Sequence, residues 1–190
     1  MKIFINYLLL LTSLYLVYEG LKNLDKSIAR QNENIERAFV VNNSKAGEKE
    51  IYQVKKIKDG DTISVVNQRG KQLEIRFACI DSPEKDQRLG EAATNHLKWL
   101  INQSNNKVTL DIVDKDNFDR QIAVVNLLHG YPVQLIQIRE GRVFGYHKYK
   151  NNCPIWNLIE KEEAIAKQKK IGVWGEKSLI RPWEWRKKNK

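Results

Sequence analysis

The strongest constraint on this chain is a succession of five short β-type runs, over residues 52–58, 62–67, 72–80, 107–113 and 121–127. Each is rich in β-branched or alternating apolar residues and is bounded by turn-forming Gly, Asp and Asn. A helical pattern interrupts them once, over 89–103, where Ala93, Leu97, Leu100 and Ile101 fall on one face. Two further helices follow, one entered through Pro132 and stopping near Gly141, the other running from Pro154 to about Lys170. Three strands, a helix, two strands and two helices contain no strand–helix alternation, so nothing argues for a dinucleotide-binding doubly wound sheet. The order predicts an α+β domain, a five-stranded OB-fold β-barrel with three packed helices.

With 190 residues, 42% of them hydrophobic, the chain has material for one such core plus appendages. We divide it into residues 1–20, 21–49, 50–174 and 175–190. The first segment opens with Met1 and Lys2 and continues as an apolar run from 3 to 18 broken only by Asn6, Thr12 and Ser13. Sixteen helical residues reach about 24 Å, short of the ~30 Å hydrocarbon core, which fits either a signal peptide or a short membrane helix. No small-x-small cleavage pattern follows, and this favours an uncleaved hydrophobic anchor helix. The protein is therefore expected to be membrane-anchored or secreted, with its folded domain on the extracytoplasmic side. Leu24, Ile28 and Ile35, with Gln31 between them, suit a short helical stalk, and 42–47 reads as a hinge.

The net charge of +10 suits a polyanionic partner, either nucleic acid or an anionic membrane surface. The last segment is the most cationic, with Arg181, Arg186, Lys187, Lys188 and Lys190 interleaved with Trp183 and Trp185. Such a tail either lies along a phosphate backbone and stacks on bases or is a solvated terminus. Two cysteines, Cys79 and Cys153, are too few for a disulfide framework. Cys79 shares parity with Leu73, Ile75 and Phe77 and reads as a buried thiol on a strand, with a single bridge to Cys153 left open if the domain is exported. His96, His129 and His147 lack zinc-ligand spacing.

Chemistry concentrates in three short stretches. Asp59-Gly60-Asp61 is by itself a hairpin-turn signal. Asp81-Ser82-Pro83-Glu84, however, ends a hydrophobic strand with two more carboxylates at a Pro-fixed bend, and two acidic turns can meet at one end of a barrel. Carboxylates, a backbone carbonyl and water form the oxygen ligand set of calcium. Arg76 has the opposite parity to Ile75 and Phe77, so its guanidinium leaves the core side and reaches toward Asp81. Arg120, after the turn at 116–119, supplies a second planar group able to hold phosphate oxygens bidentately. The competing class is a non-catalytic barrel tethered to a membrane that only binds nucleic acid. Binding alone has no use for clustered carboxylates that repel phosphate.

These stretches, together with Glu163-Ala164-x-Ala166 and Gly172-Val173-Trp174, resemble the thermonuclease family, the staphylococcal-nuclease-type domains, over about residues 50–174. The resemblance implies that Asp61, Asp81 and the Ser82 carbonyl bind Ca2+, with Asp59 close by. It implies further that Arg76, Glu84 and Arg120 are catalytic, Glu84 orienting or deprotonating the attacking water. The implied reaction is endonucleolytic hydrolysis of DNA or RNA to 3′-phosphorylated products. Tyr146 and Tyr149 fall where the family places aromatic residues beside the substrate. Asp119 stands where a Gly is common before the second catalytic Arg, and Asp accepts a left-handed turn better than most residues. Residues 85–89 form a shorter connection than in some relatives.

Overall fold

The computed structural model describes Glu19, Lys22 and residues 49–189. The chain divides into two units, Met1–Lys45 and Ala46–Lys190, of which the second holds the five strand runs and the helices that interrupt and succeed them. The expected anchor at 3–18 lies outside the described residues, as does the stalk apart from Lys22 and Lys49. Among the described residues no helix is long and apolar enough to cross a membrane.

The five expected strands are present as β1 (Ile51–Ile57), β2 (Thr62–Val66), β3 (Gln72–Phe77), β5 (Lys107–Lys115) and β6 (Gln121–Asn126). They close into a barrel in the order β1-β2-β3-β6-β5. The neighbours run antiparallel except β3 and β6, which pair in parallel with Ile75 opposite Gln121 and Phe77 opposite Ala123. Pleat alternation sends Val54, Ile63, Val65, Ile75, Phe77, Val108, Ala123 and Val125 inward, where all are buried. Helix α1 (Gly90–Gln103) follows the expected span and buries the expected stripe of Ala93, Leu97, Leu100 and Ile101. Helix α2 (Val133–Arg139) is entered through Pro132, and α3 is Trp156–Lys169.

Two differences from the sequence reading bear on function. The run at 72–80 is not one strand. β3 ends at Phe77, Cys79 takes a left-handed conformation with φ 73°, and Ile80–Asp81 forms a separate strand, β4, pairing with β7 (Phe144–Gly145). Cys79 is accordingly not a free thiol on a strand. It is bonded to Cys153, 74 residues away, an option the sequence left open. Parity could not anticipate this, because the pairing partners that redirect the chain lie far downstream. The second difference is a fourth helix, α4 (Pro182–Lys188), formed by residues read as a basic tail.

Three buried polar side chains set where these elements sit. Gln134 of α2 donates to the Ala123 carbonyl and accepts from the Val125 N–H, which pins the helix to β6. Gln137, one turn on, donates to the Gly60 carbonyl at 2.7 Å and so holds the β1–β2 turn. Glu163 of α3, 2% exposed, accepts from the Gly145 N–H at 2.8 Å and from Lys167 at 2.6 Å, anchoring β7.

Because the Cys79–Cys153 bond closes a 74-residue separation, its removal enlarges the unfolded ensemble substantially. The double replacement of both cysteines by Ser should lower stability by about 4 kcal/mol on the loop-closure estimate, seen as a shifted urea midpoint. An unchanged midpoint would show that the bond does not constrain the unfolded chain.

Candidate active site

Strand register brings the three acidic and basic stretches to one end of the barrel. Thr62 pairs with Arg76 across β2 and β3, and the Phe77 N–H donates to the Asp61 carbonyl, so Asp61 lies beside the end of β3. Arg76 pairs with Ile122 in the parallel β3–β6 ladder, and Arg120, two residues before Ile122, shares its face. Asp61, Arg76, Asp81, Ser82, Glu84 and Arg120 all line one cavity of about 550 Å³. The structure thus gathers every site residue expected from the sequence.

The two acidic turns touch directly. The Ser82 N–H donates to Asp61 Oδ2 at 2.5 Å, and the Asp61 N–H donates to Asp59 Oδ1 at 2.9 Å. Gly60 permits this approach, since a Cβ there would lie 2.1 Å from Ser82 Oγ and 2.9 Å from Ala93 Cβ. Arg76 bridges the turns, with Nη1 3.0 Å from Asp61 Oδ2 and Nη2 2.6 Å from Asp81 Oδ1. Asp61 and Asp81 are 4% and 0% exposed, so these carboxylates have left water. Burial pushes the Asp61 carboxyl well above the usual carboxylate range. Arg76 opposes that rise, and Asp59 and Asp81 reinforce it. Arg76 stays charged: burial works against its guanidinium, but Asp61, Asp81 and Asp59 together hold its pKa above the ordinary value.

Arg120 is held from below by Asp116, whose Oδ2 accepts from Nε at 2.8 Å and lies 2.7 Å from Nη2. Burial would raise the Asp116 carboxyl, but the hydrogen bonds from Arg120 and Phe118 outweigh it and leave its pKa below normal. Asp119 does adopt the left-handed conformation expected of it, with φ 67°. Its carboxylate turns away to pair with Lys115 and is 87% exposed, so Asp116 rather than Asp119 governs the arginine. The Arg120 guanidinium also lies 5.6 Å from the ring centroid of Phe118, which is 81% exposed at the cavity rim. Strand and charge patterns do not single out Phe118, although an aromatic in the polar loop 116–120 is itself a signal.

A larger omission is Arg186. From α4 it reaches into the cavity, donating to Asp81 Oδ2 at 2.7 Å, to Asp81 Oδ1 at 3.2 Å and to Glu84 Oε1 at 2.5 Å. Sequence offered only its place in a basic tail.

Three carboxylates, Asp61, Asp81 and Glu84, therefore share two guanidiniums, with Asp59 close enough to act on Asp61. That surplus of negative charge, made of hard oxygens, fits a divalent cation of the calcium type. Among the described residues no three acidic, Cys or His side chains form a ready-made cage. Asp61 and Asp81 would supply carboxylate oxygens and leave the remaining positions to a backbone carbonyl and water.

Residues 74–176 match the family described as staphylococcal nuclease homologue. The chain belongs to that family. An uncharacterized endonuclease of Haemophilus influenzae is 34% identical over 152 residues, covering 80% of this chain and 82% of the relative. A protein of Escherichia coli O157:H7, also named an uncharacterized endonuclease, is 33% identical over 134 residues, 70% of this chain and 83% of the relative. A micrococcal nuclease of Shigella flexneri is 30% identical over 146 residues, 73% and 81% of the two chains. The nuclease-family match begins within β3 and runs past α3, and that segment carries Arg76, Asp81, Glu84 and Arg120.

If contact between the two acidic turns builds the site, a methyl group at position 60 should separate them. Gly60→Ala is expected to cost about 1–3 kcal/mol through overpacking. Adding Ser82→Gly should restore part of that loss in thermal melts, because the nearest clashing atom is Ser82 Oγ. Equal stability of Gly60→Ala and the parent would mean that the turns are not in contact.

Proposed function

We propose that this protein is a calcium-dependent nuclease that hydrolyses phosphodiester bonds of DNA or RNA and leaves 3′-phosphorylated products. The observation carrying this reading is that loops remote in sequence deliver Asp61, Asp81, Glu84, Arg76 and Arg120 into one cavity. Family membership and relatives named endonuclease and micrococcal nuclease support it.

Asp61, Asp81 and the Ser82 carbonyl would hold the cation, and a calcium ion bound there supplies an electrophile for a phosphate oxygen. The remaining work belongs to side chains. Glu84, at the rim of the acidic pocket and 33% exposed, is placed to accept a proton from water entering from solvent. Arg76, fixed by Asp61 and Asp81, and Arg120, oriented by Asp116, both line the cavity and would hold a phosphate bound there. Two planar guanidiniums can neutralise charge that grows on the phosphoryl oxygens. Tyr146 and Tyr149, packed edge to face at 5.1 Å, offer aromatic surface to the adjoining nucleotides.

We further propose that residues 3–18 export or anchor the domain and that it works on the extracytoplasmic side. The Cys79–Cys153 bond supports that location, because such bonds persist in oxidising compartments.

Glu84→Gln and Arg120→Lys should each reduce DNA cutting by about a hundredfold or more, and chelation should abolish cutting by the unmodified chain. Undiminished cutting by both variants would defeat the assignment. Calcium should also raise the melting temperature of the unmodified chain, since it binds only the folded site. That rise should vanish in Asp61→Ala, and its persistence there would move the metal elsewhere.

A further inference from the structure

Helix α4 occupies the site in two places at once. Arg186 takes both oxygens of Asp81 and one of Glu84, and Trp183, one turn earlier, stacks on Tyr146 with ring centroids 5.3 Å apart and planes 13° from parallel. Asp81 is nearly saturated, because its Oδ1 also accepts from Arg76 at 2.6 Å and the residue is 0% exposed. Arg186, bidentate on Asp81, therefore holds the position from which a cation would approach that carboxylate, and its bond to Glu84 Oε1 occupies one of the two oxygens that could take a proton from water. The face of Tyr146 that Trp183 covers is equally closed to a nucleobase.

The connection to the rest of the fold is specific. Gln87, 4% exposed, donates to the Ile180 carbonyl at 2.7 Å and accepts from the Glu84 N–H at 3.1 Å, so the Glu84 loop and the approach to α4 share one side chain. Arg181 lies 4.5 Å from the ring centroids of both Phe144 and Trp174, which fixes the segment just before the helix. Beyond Pro182 the side chains that reach the site are Trp183 and Arg186, the latter 38% exposed. A seven-residue helix is marginal without its packing partners. The segment is thus fastened at its base and held at the site by two side chains that can let go.

We propose that α4 is an intramolecular latch: Arg186 stands in the acidic site in competition with the divalent cation, Trp183 covers the aromatic platform, and metal with nucleic acid must displace both before cutting begins. The proposal rests on reading the acidic site as a metal site. It adds that the resting protein is self-occluded. Burial by itself would lower the Arg186 pKa, but hydrogen bonding to Asp81 and Glu84 holds it above normal, so the latch carries its charge at any ordinary pH.

The test is calcium binding by calorimetry on the full chain at fixed ionic strength, comparing the parent with Arg186→Ala and Trp183→Ala. A latch seated about nine-tenths of the time weakens apparent affinity about tenfold, so both variants should bind calcium about tenfold more tightly. Trp183→Ala is the decisive variant because it changes no charge. Tightening in Arg186→Ala alone would mean simple electrostatics and overturn the latch, as would unchanged affinity in both. Loss of cutting at saturating calcium in Arg186→Ala, without tighter binding, would also overturn it and make Arg186 a third phosphate ligand. Absence of calcium binding in all three chains would defeat the metal reading itself, and the latch with it. Hydrogen exchange on the unmodified chain gives a check free of folding defects: residues 182–188 should lose protection when calcium is added, and unchanged protection would overturn the proposal.

Discussion

The guanidinium of Arg76 is the interaction on which the site depends. It is the group that lets two buried carboxylates, Asp61 and Asp81, lie on adjacent turns without driving them apart. Such a buried network is not a source of stability in itself, because removing charges from water costs several kcal/mol per ion. What it does provide is geometry. Since the charges do not balance, the cluster retains an appetite for a further cation, and that imbalance is the physical root of the contact with Arg186 and of the metal binding proposed above.

The scaffold uses several buried polar contacts to keep the cluster in place. Gln137 fixes the Gly60 carbonyl and, with it, the first acidic turn, and Glu163 fixes the Gly145 N–H and so the strand that pairs with Asp81. Cys79 is covalently tied to Cys153, which directly succeeds the 3₁₀ turn His147–Asn152, while the Cys79 carbonyl accepts from the Tyr146 N–H. The segment from Phe77 to Glu84 is therefore held from several directions, which suits a site whose groups must be oriented before substrate arrives. The end of α4 reaches the same cluster through Arg186 and Trp183.

Much of this was legible in one dimension. Period-two alternation located all five barrel strands, and the stripe of Ala93, Leu97, Leu100 and Ile101 located α1, since both patterns follow from which side chains must leave water. The candidate residues were legible because carboxylates at Gly and Pro turns and an arginine of wrong parity for the core are local anomalies. The break at Cys79 was not, because a left-handed residue and a two-stranded ladder with Phe144–Gly145 depend on partners far along the chain. The roles of Asp116 and Asp119 were likewise open: both flank the same turn, and only the backbone conformation decides which carboxylate faces Arg120.

Sequence alone determined the class of fold and the kinds of atom the site contains, because hydrophobic periodicity and side-chain chemistry are properties of short stretches. Tertiary structure alone decided that residues read as a charged tail return as a helix and place Arg186 between Asp81 and Glu84, more than 100 residues away. Electrostatic partners are chosen by distance in space, and a one-dimensional pattern records composition and spacing but not that distance.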